Sequence, residues 1–108
     1  PILKMNGSLM RLDKGCSFIG AFEKLEKIRE EKIFLEADAM IVSFTDGLPD
    51  LRNKDEEYFG DSYLEIFVDD NCKMSPEDFN QKLLTEIDDF RGENEIADDI
   101  AVLTCKIY

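Results

Sequence analysis

Apolar and polar positions first organise into a hairpin. Asn6-Gly7 sits between two short arms, Leu3-Lys4-Met5 and Leu9-Met10-Arg11-Leu12. A type I′ turn needs positive φ at both central residues, and Asn-Gly meets that need with little steric cost. Gly15 and Gly20 then bracket a short apolar patch, Cys16 to Ile19. From Phe22 to Lys32 two readings compete. Phe22, Leu25 and Ile28 recur every third residue among Glu and Lys, which favours a helix. The stretch runs straight into Ile33-Phe34-Leu35, which reads as strand.

Ile33–Leu35 and Met40–Phe44 are apolar and partly β-branched, with Glu36-Ala37-Asp38-Ala39 between them. The pattern predicts two antiparallel strands joined by a tight turn. The second strand ends at Thr45-Asp46-Gly47-Leu48-Pro49-Asp50, where Gly47 and Pro49 stop its continuation. Two helices follow. The first spans roughly Asp61 to Val68, with Leu64, Phe67 and Val68 facing inward. The second carries a full set of start signals: Ser75 as N-cap, Pro76 at N1, and Glu77 and Asp78 in the first turn. Met74 and Phe79 are spaced as a hydrophobic staple. Phe79, Leu83, Ile87 and Phe90 form one core-facing stripe, and Gly92 ends the helix. The chain closes on a long strand, Ile100 to Tyr108, preceded at once by Asp98-Asp99.

Composition narrows the function. The 108 residues carry a net charge of −12, with 44% hydrophobic residues, enough for a modest core. The charge is uneven: residues 1–35 balance at +2 and residues 36–108 at −14. Nucleic acid is an unsuitable partner, because phosphate binding needs cationic neutralisation. An acidic nucleic-acid mimic rests on the net charge alone. Cations or a basic protein surface fit better. No apolar run approaches the roughly 20 residues of a membrane helix. No secretory leader is visible, and the opening Pro1-Ile2-Leu3 lacks an initiator Met, so a domain fragment is expected. Cys16, Cys72 and Cys105 are far apart and histidine is absent, which argues against a zinc site and for free thiols in a reducing cytoplasm. Asp69-Asp70-Asn71 lacks the spacing and central Gly of an EF-hand.

Candidate chemistry gathers at two acidic elements. Asp46 lies just past one apolar strand and Asp98 just before another. If those strands are antiparallel neighbours, both carboxylates reach one edge of the sheet. Close carboxylates repel unless a cation or proton lies between them. Mg²⁺ and Mn²⁺ take oxygen ligands and keep several waters, so two protein carboxylates are a plausible contribution. Taken singly, Asp-Gly after a strand also fits a plain turn, and Asp-Asp before a strand a solvated loop.

The ordered set Phe44-Thr45-Asp46-Gly47-Leu48-Pro49-Asp50, Phe59-Gly60, Ser75-Pro76-Glu77 and Asp98-Asp99-Ile100 resembles the C-terminal part of the stage II sporulation protein E-type phosphatases. These form a bacterial branch of the metal-dependent, protein phosphatase 2C-like family. The resemblance covers essentially the whole chain and implies an α+β fold, part of an α-β-β-α sandwich with antiparallel sheets and two helices near the C-terminal end. Residues 1–108 would be the C-terminal portion of such a domain. It implies a two-metal centre of Mn²⁺ or Mg²⁺ at one edge of the sheets, where an activated water attacks a phosphoserine or phosphothreonine phosphorus. It carries a metal-ligand role to Asp46 and Asp98, with Gly47 and Asp99 supporting them. It implies a phosphorylated regulator of anti-sigma-factor antagonist type as substrate, and a cytoplasmic, partner-switching role. It also places a strand over Lys27 to Leu35. The sequence departs from the pattern in places. The family's Gly-Asp motif of the first half is missing, Gly60-Asp61 being elsewhere, and Ala101 stands where Thr or Ser is usual. The chain alone is therefore expected to be inactive, and to dimerise or swap through exposed sheet. The competing reading is a non-catalytic acidic module that binds a basic partner on a degenerate phosphatase fold.

Overall fold

A computed structural model describes residues 1–15, 20, 23–24 and 27–108. The apolar patch Cys16 to Ile19, and Phe22 and Leu25 of the ambiguous stretch, lie outside the described residues. Six elements follow in order: β1 (Ile2–Met5), β2 (Ser8–Arg11), β3 (Met40–Phe44), α1 (Asp61–Asn71), α2 (Pro76–Arg91) and β4 (Val102–Lys106). The strands form one antiparallel sheet in the order β2-β1-β3-β4. One sheet layer carries one helix layer, in agreement with the α+β expectation.

The hairpin forms as its sequence dictates. Met5 pairs with Ser8, and the turn has Asn6 at φ 50° and Gly7 at φ 75°. Pairing then sets a register across the sheet. Ile2 lies opposite Val42, and Val42 opposite Thr104. Side chains alternate between faces, so Ile2, Met40 and Val42 share the face under the helices, and all three are buried. Phe44 and Val102 join the same cluster from the edge of that face. On the opposite face Leu103 and Cys105 are exposed.

The helices complete the core. Leu64, Phe67 and Val68 of α1 and Phe79, Leu83 and Ile87 of α2 are buried together. Phe67 and Phe79 meet edge to face at 5.2 Å, and Phe59 meets Phe90 likewise at 5.1 Å. The Ser75 side chain accepts the Asp78 N–H at 3.1 Å, and Met74 packs against the core as a staple residue would. Ser75→Ala should lower stability by about 1 kcal/mol. In a domain of this size that is a melting-temperature drop of about 4–8 °C, readable by circular dichroism. Gly92 closes α2 at φ 56° and donates to Asp88 O.

Polar groups inside this layer are paired. Thr104 donates to Asn80 Oδ1 at 2.6 Å, and buried Asn71 receives Lys82 Nζ at 2.7 Å. Lys106 Nζ reaches the carbonyls of Cys72, Lys73 and Met74, where the negative end of α1 favours a cation. Tyr63 of α1 donates to Glu86 of α2 at 2.6 Å, and that bond pushes its hydroxyl up to about 12.

One expected element is absent. The turn before β3 exists: Ala39 N–H reaches Glu36 O at 3.2 Å, and Asp38 sits at φ 67°. Yet neither Ile33–Leu35 nor the longer Lys27–Leu35 is a strand among the described residues. The reason is competition for partners. β3 is paired with β1 on one side and β4 on the other, so no edge of β3 is open to the preceding segment. Phe34 is 83% and Ile28 62% exposed. The last strand is also shorter than expected, Val102–Lys106 in place of Ile100–Tyr108, while α1 runs on to Asn71. No helix of the described residues is long and apolar enough to cross a membrane.

Candidate metal centre

β3 and β4 are antiparallel neighbours, with Phe44 opposite Val102. The end of β3 therefore meets the start of β4, and Asp46 and Asp98 come to the same end of the pair. Both are exposed there. The backbones that carry them are in direct contact. Thr45 N–H donates to Ala101 O at 3.1 Å, the Thr45 hydroxyl donates to Asp99 O at 2.9 Å, and Ala101 N–H donates to that hydroxyl oxygen at 3.0 Å. Thr45 is a clamp that sequence reasoning passed over. Its signal was its place as the first polar residue after an apolar strand, facing the entry to the next.

Gly47 explains itself by space. A Cβ there would lie 2.4 Å from Asp99 O and 3.0 Å from Asp98 O. Only a residue without a side chain lets the two loops touch. Asp99 contributes through its backbone: its carbonyl takes Thr45, and its N–H donates to Asp98 Oδ1 at 2.8 Å. That bond holds the Asp98 carboxylate from one side.

The chain beyond Gly47 is built to stay in place. Leu48 and Leu51 are buried and anchor a tight turn, in which Leu48 N–H reaches Thr45 O and Asp50 N–H reaches Asp46 O. Residues 51–59 then fold back on themselves. Phe59 N–H donates to Leu51 O at 2.8 Å, and Arg52 and Tyr58 form a β-bridge. Asn53 Oδ1 caps the tip by accepting the N–H groups of Asp55 and Glu57. This hairpin loop walls a cleft of about 530 Å³ whose opposite side includes Asn94, Glu95 and Asp98. Asp50, Arg52, Glu56, Tyr58 and Gly47 complete most of its lining. Arg52 was not singled out by the sequence reading either.

The oxygen donors present suit a hard divalent cation. Their number does not make an all-protein site: among the described residues no group of three or more His, Cys, Asp or Glu is gathered closely enough to hold a metal ion. Asp46 and Asp98 would hold a bound Mn²⁺ or Mg²⁺ together with water or further ligands.

Comparison with known proteins agrees with this architecture. No curated protein matches the chain by sequence. Two solved structures share its fold. The SiaA-PP2C domain of Pseudomonas aeruginosa superposes with a TM-score of 0.67 at 18% identity, over 70% of this chain and 31% of that one. The phosphatase domain of the cell fate determinant SpoIIE from Bacillus subtilis, in a Mn-presoaked structure, superposes with a TM-score of 0.64 at 20% identity, over 98% of this chain and 45% of that one. The chain thus spans less than half of either relative. The family model of stage II sporulation protein E (SpoIIE) matches residues 1–108. The chain belongs to the stage II sporulation protein E family, whose phosphatase-domain fold its sheet and helices share.

Proposed function

We propose that these residues form the C-terminal part of a bacterial, metal-dependent protein phosphatase acting on phosphoserine or phosphothreonine. The carrying observation is the clamp of Thr45 and Gly47 against Asp98–Asp99, which brings two carboxylate-bearing loops to one sheet end. In this reading Asp46 and Asp98 are metal ligands. Gly47 and Asp99 support them by backbone contact. A Mn²⁺ or Mg²⁺ ion held by Asp46 and Asp98 would supply water activation near neutral pH and would offset the charge that develops on the phosphoryl oxygens. The chain's own contribution is to fix both carboxylates on a paired strand end, since ligand positioning governs such chemistry. The Mn-presoaked relative supports the choice of ion.

The substrate in this reading is a phosphorylated regulator of anti-sigma-factor antagonist type, and the setting is sigma-factor control in the cytoplasm. The exposed sheet residues Met10 and Leu103 support self-association of the chain as a further part of the proposal. Aryl-phosphate hydrolysis with Mn²⁺ tests the central claim. The full-length protein should turn over substrate, and the 108-residue chain alone should not. A full-length protein inert with Mn²⁺ and with Mg²⁺ would end the phosphatase reading.

A further inference from the structure

The cleft beside Asp98 is lined by four carboxylates, Asp50, Glu56, Glu95 and Asp98, and by one cation, Arg52. A phosphoryl dianion entering such a cleft meets repulsion from every charged wall except that one. Arg52 is also the side chain best prepared to meet it. Its guanidinium lies over the Tyr58 ring at 4.6 Å from the centroid, donates from Nη1 to Glu56 Oε2 at 2.7 Å, and donates from Nη2 to the Tyr58 hydroxyl. A guanidinium has five N–H donors. Two are engaged by those contacts, and three remain for a ligand. The side chain stays 48% exposed, so those donors are reachable from the cleft. The backbone beneath it is fixed by the Arg52–Tyr58 bridge and by Asn94 Nδ2 donating to Arg52 O at 3.3 Å. Hydrogen bonding to Glu56 further stabilises the charged guanidinium.

We infer that Arg52 contacts the phosphoryl oxygens of the phosphorylated substrate, as a specificity-determining residue of the cleft. A planar fork held by an aromatic face presents parallel N–H groups to two phosphoryl oxygens with little ordering left to do. The inference rests on the phosphatase reading for its substrate class, but its binding test does not depend on turnover. A purely structural Arg52 would pin the 51–59 loop and leave phosphate affinity untouched.

The experiment uses the full-length protein with Mn²⁺, as parent, Arg52→Ala, Arg52→Lys and Tyr58→Phe. Three quantities are measured: the Kd of inorganic phosphate by calorimetry, KM and kcat for a phosphoserine peptide, and melting temperature. Arg52→Ala should raise the phosphate Kd and the peptide KM about tenfold or more, with kcat within a few-fold. Arg52→Lys should recover part of the loss, because it keeps the charge and loses the fork. Tyr58→Phe should stay within about twofold, since the ring and the guanidinium both remain. Unchanged Kd and KM in Arg52→Ala overturn the inference, whatever happens to melting. If Arg52→Ala does not fold, Arg52→Lys decides by the same readouts, and an unchanged phosphate Kd overturns it. A parent that fails to bind phosphate overturns it as well. A parent that hydrolyses nothing but binds phosphate through Arg52 sinks the phosphatase reading and keeps the Arg52–phosphate contact. An active parent indifferent to Arg52→Ala does the reverse.

Discussion

Asp46→Asn in the proposed longer phosphatase should lower Mn²⁺-dependent phosphate-ester hydrolysis by at least about a hundredfold, while the melting temperature measured without metal hardly changes. The asymmetry follows from where Asp46 sits. Its side chain is exposed at the end of β3, so an isosteric amide disturbs no core contact, and such surface changes stay within about 0.5 kcal/mol. A carboxylate that ligates a catalytic ion contributes several kcal/mol of transition-state stabilisation through that ion, which is the origin of the rate loss. Asp98→Asn should behave alike, because an amide oxygen can still accept the Asp99 N–H that Asp98 accepts now. Titrating Mn²⁺ against rate for parent and variant checks both. A variant with the parent's metal-dependent rate would favour the acidic binding module, for which the balance of −14 over residues 36–108 is the attraction.

Gly47→Ala should do the opposite: it should cost stability first. The added methyl would lie 2.4 Å from Asp99 O, and that neighbour is backbone, which cannot rotate away. Relief requires parting the loops, which breaks the Thr45 hydrogen bonds to Asp99 and Ala101. Overpacking of this kind costs roughly 1–3 kcal/mol or more, and a backbone clash belongs at the upper end. A melting-temperature fall on the order of 15 °C is expected. Thermal melts of the parent and variant test it directly. A melting temperature within a degree or two of the parent would mean that the two loops are not in contact.

The contrast shows what could be read from residues alone. Local chemistry was legible. Asn6-Gly7 encodes its own turn, Ser75-Pro76 its own helix start, and the Phe79, Leu83, Ile87 stripe its own buried face. The candidate site was legible in part, since strand–Asp-Gly and Asp-Asp–strand predict a meeting once the two strands are neighbours, as β3 and β4 are. Partner choice in the sheet was not legible. Ile33-Phe34-Leu35 has the composition of a strand, but composition does not say that β1 and β4 will take both edges of β3. Arg52 and Thr45 were missed for a related reason. Their roles depend on contacts with Tyr58 and Asp99, and the second of these is remote in sequence.

That remoteness has a kinetic meaning. The hydrogen bond from Thr45 to Asp99 spans 54 positions of the chain, with both helices folded between its ends. Closing so long a loop is slow compared with forming either helix, because chain entropy must be overcome before the contact returns any stability. The two carboxylates therefore share no neighbourhood in the unfolded chain and acquire one only as β4 docks on β3. A cation that recognises the pair recognises the folded state alone, so its binding energy adds to folding stability.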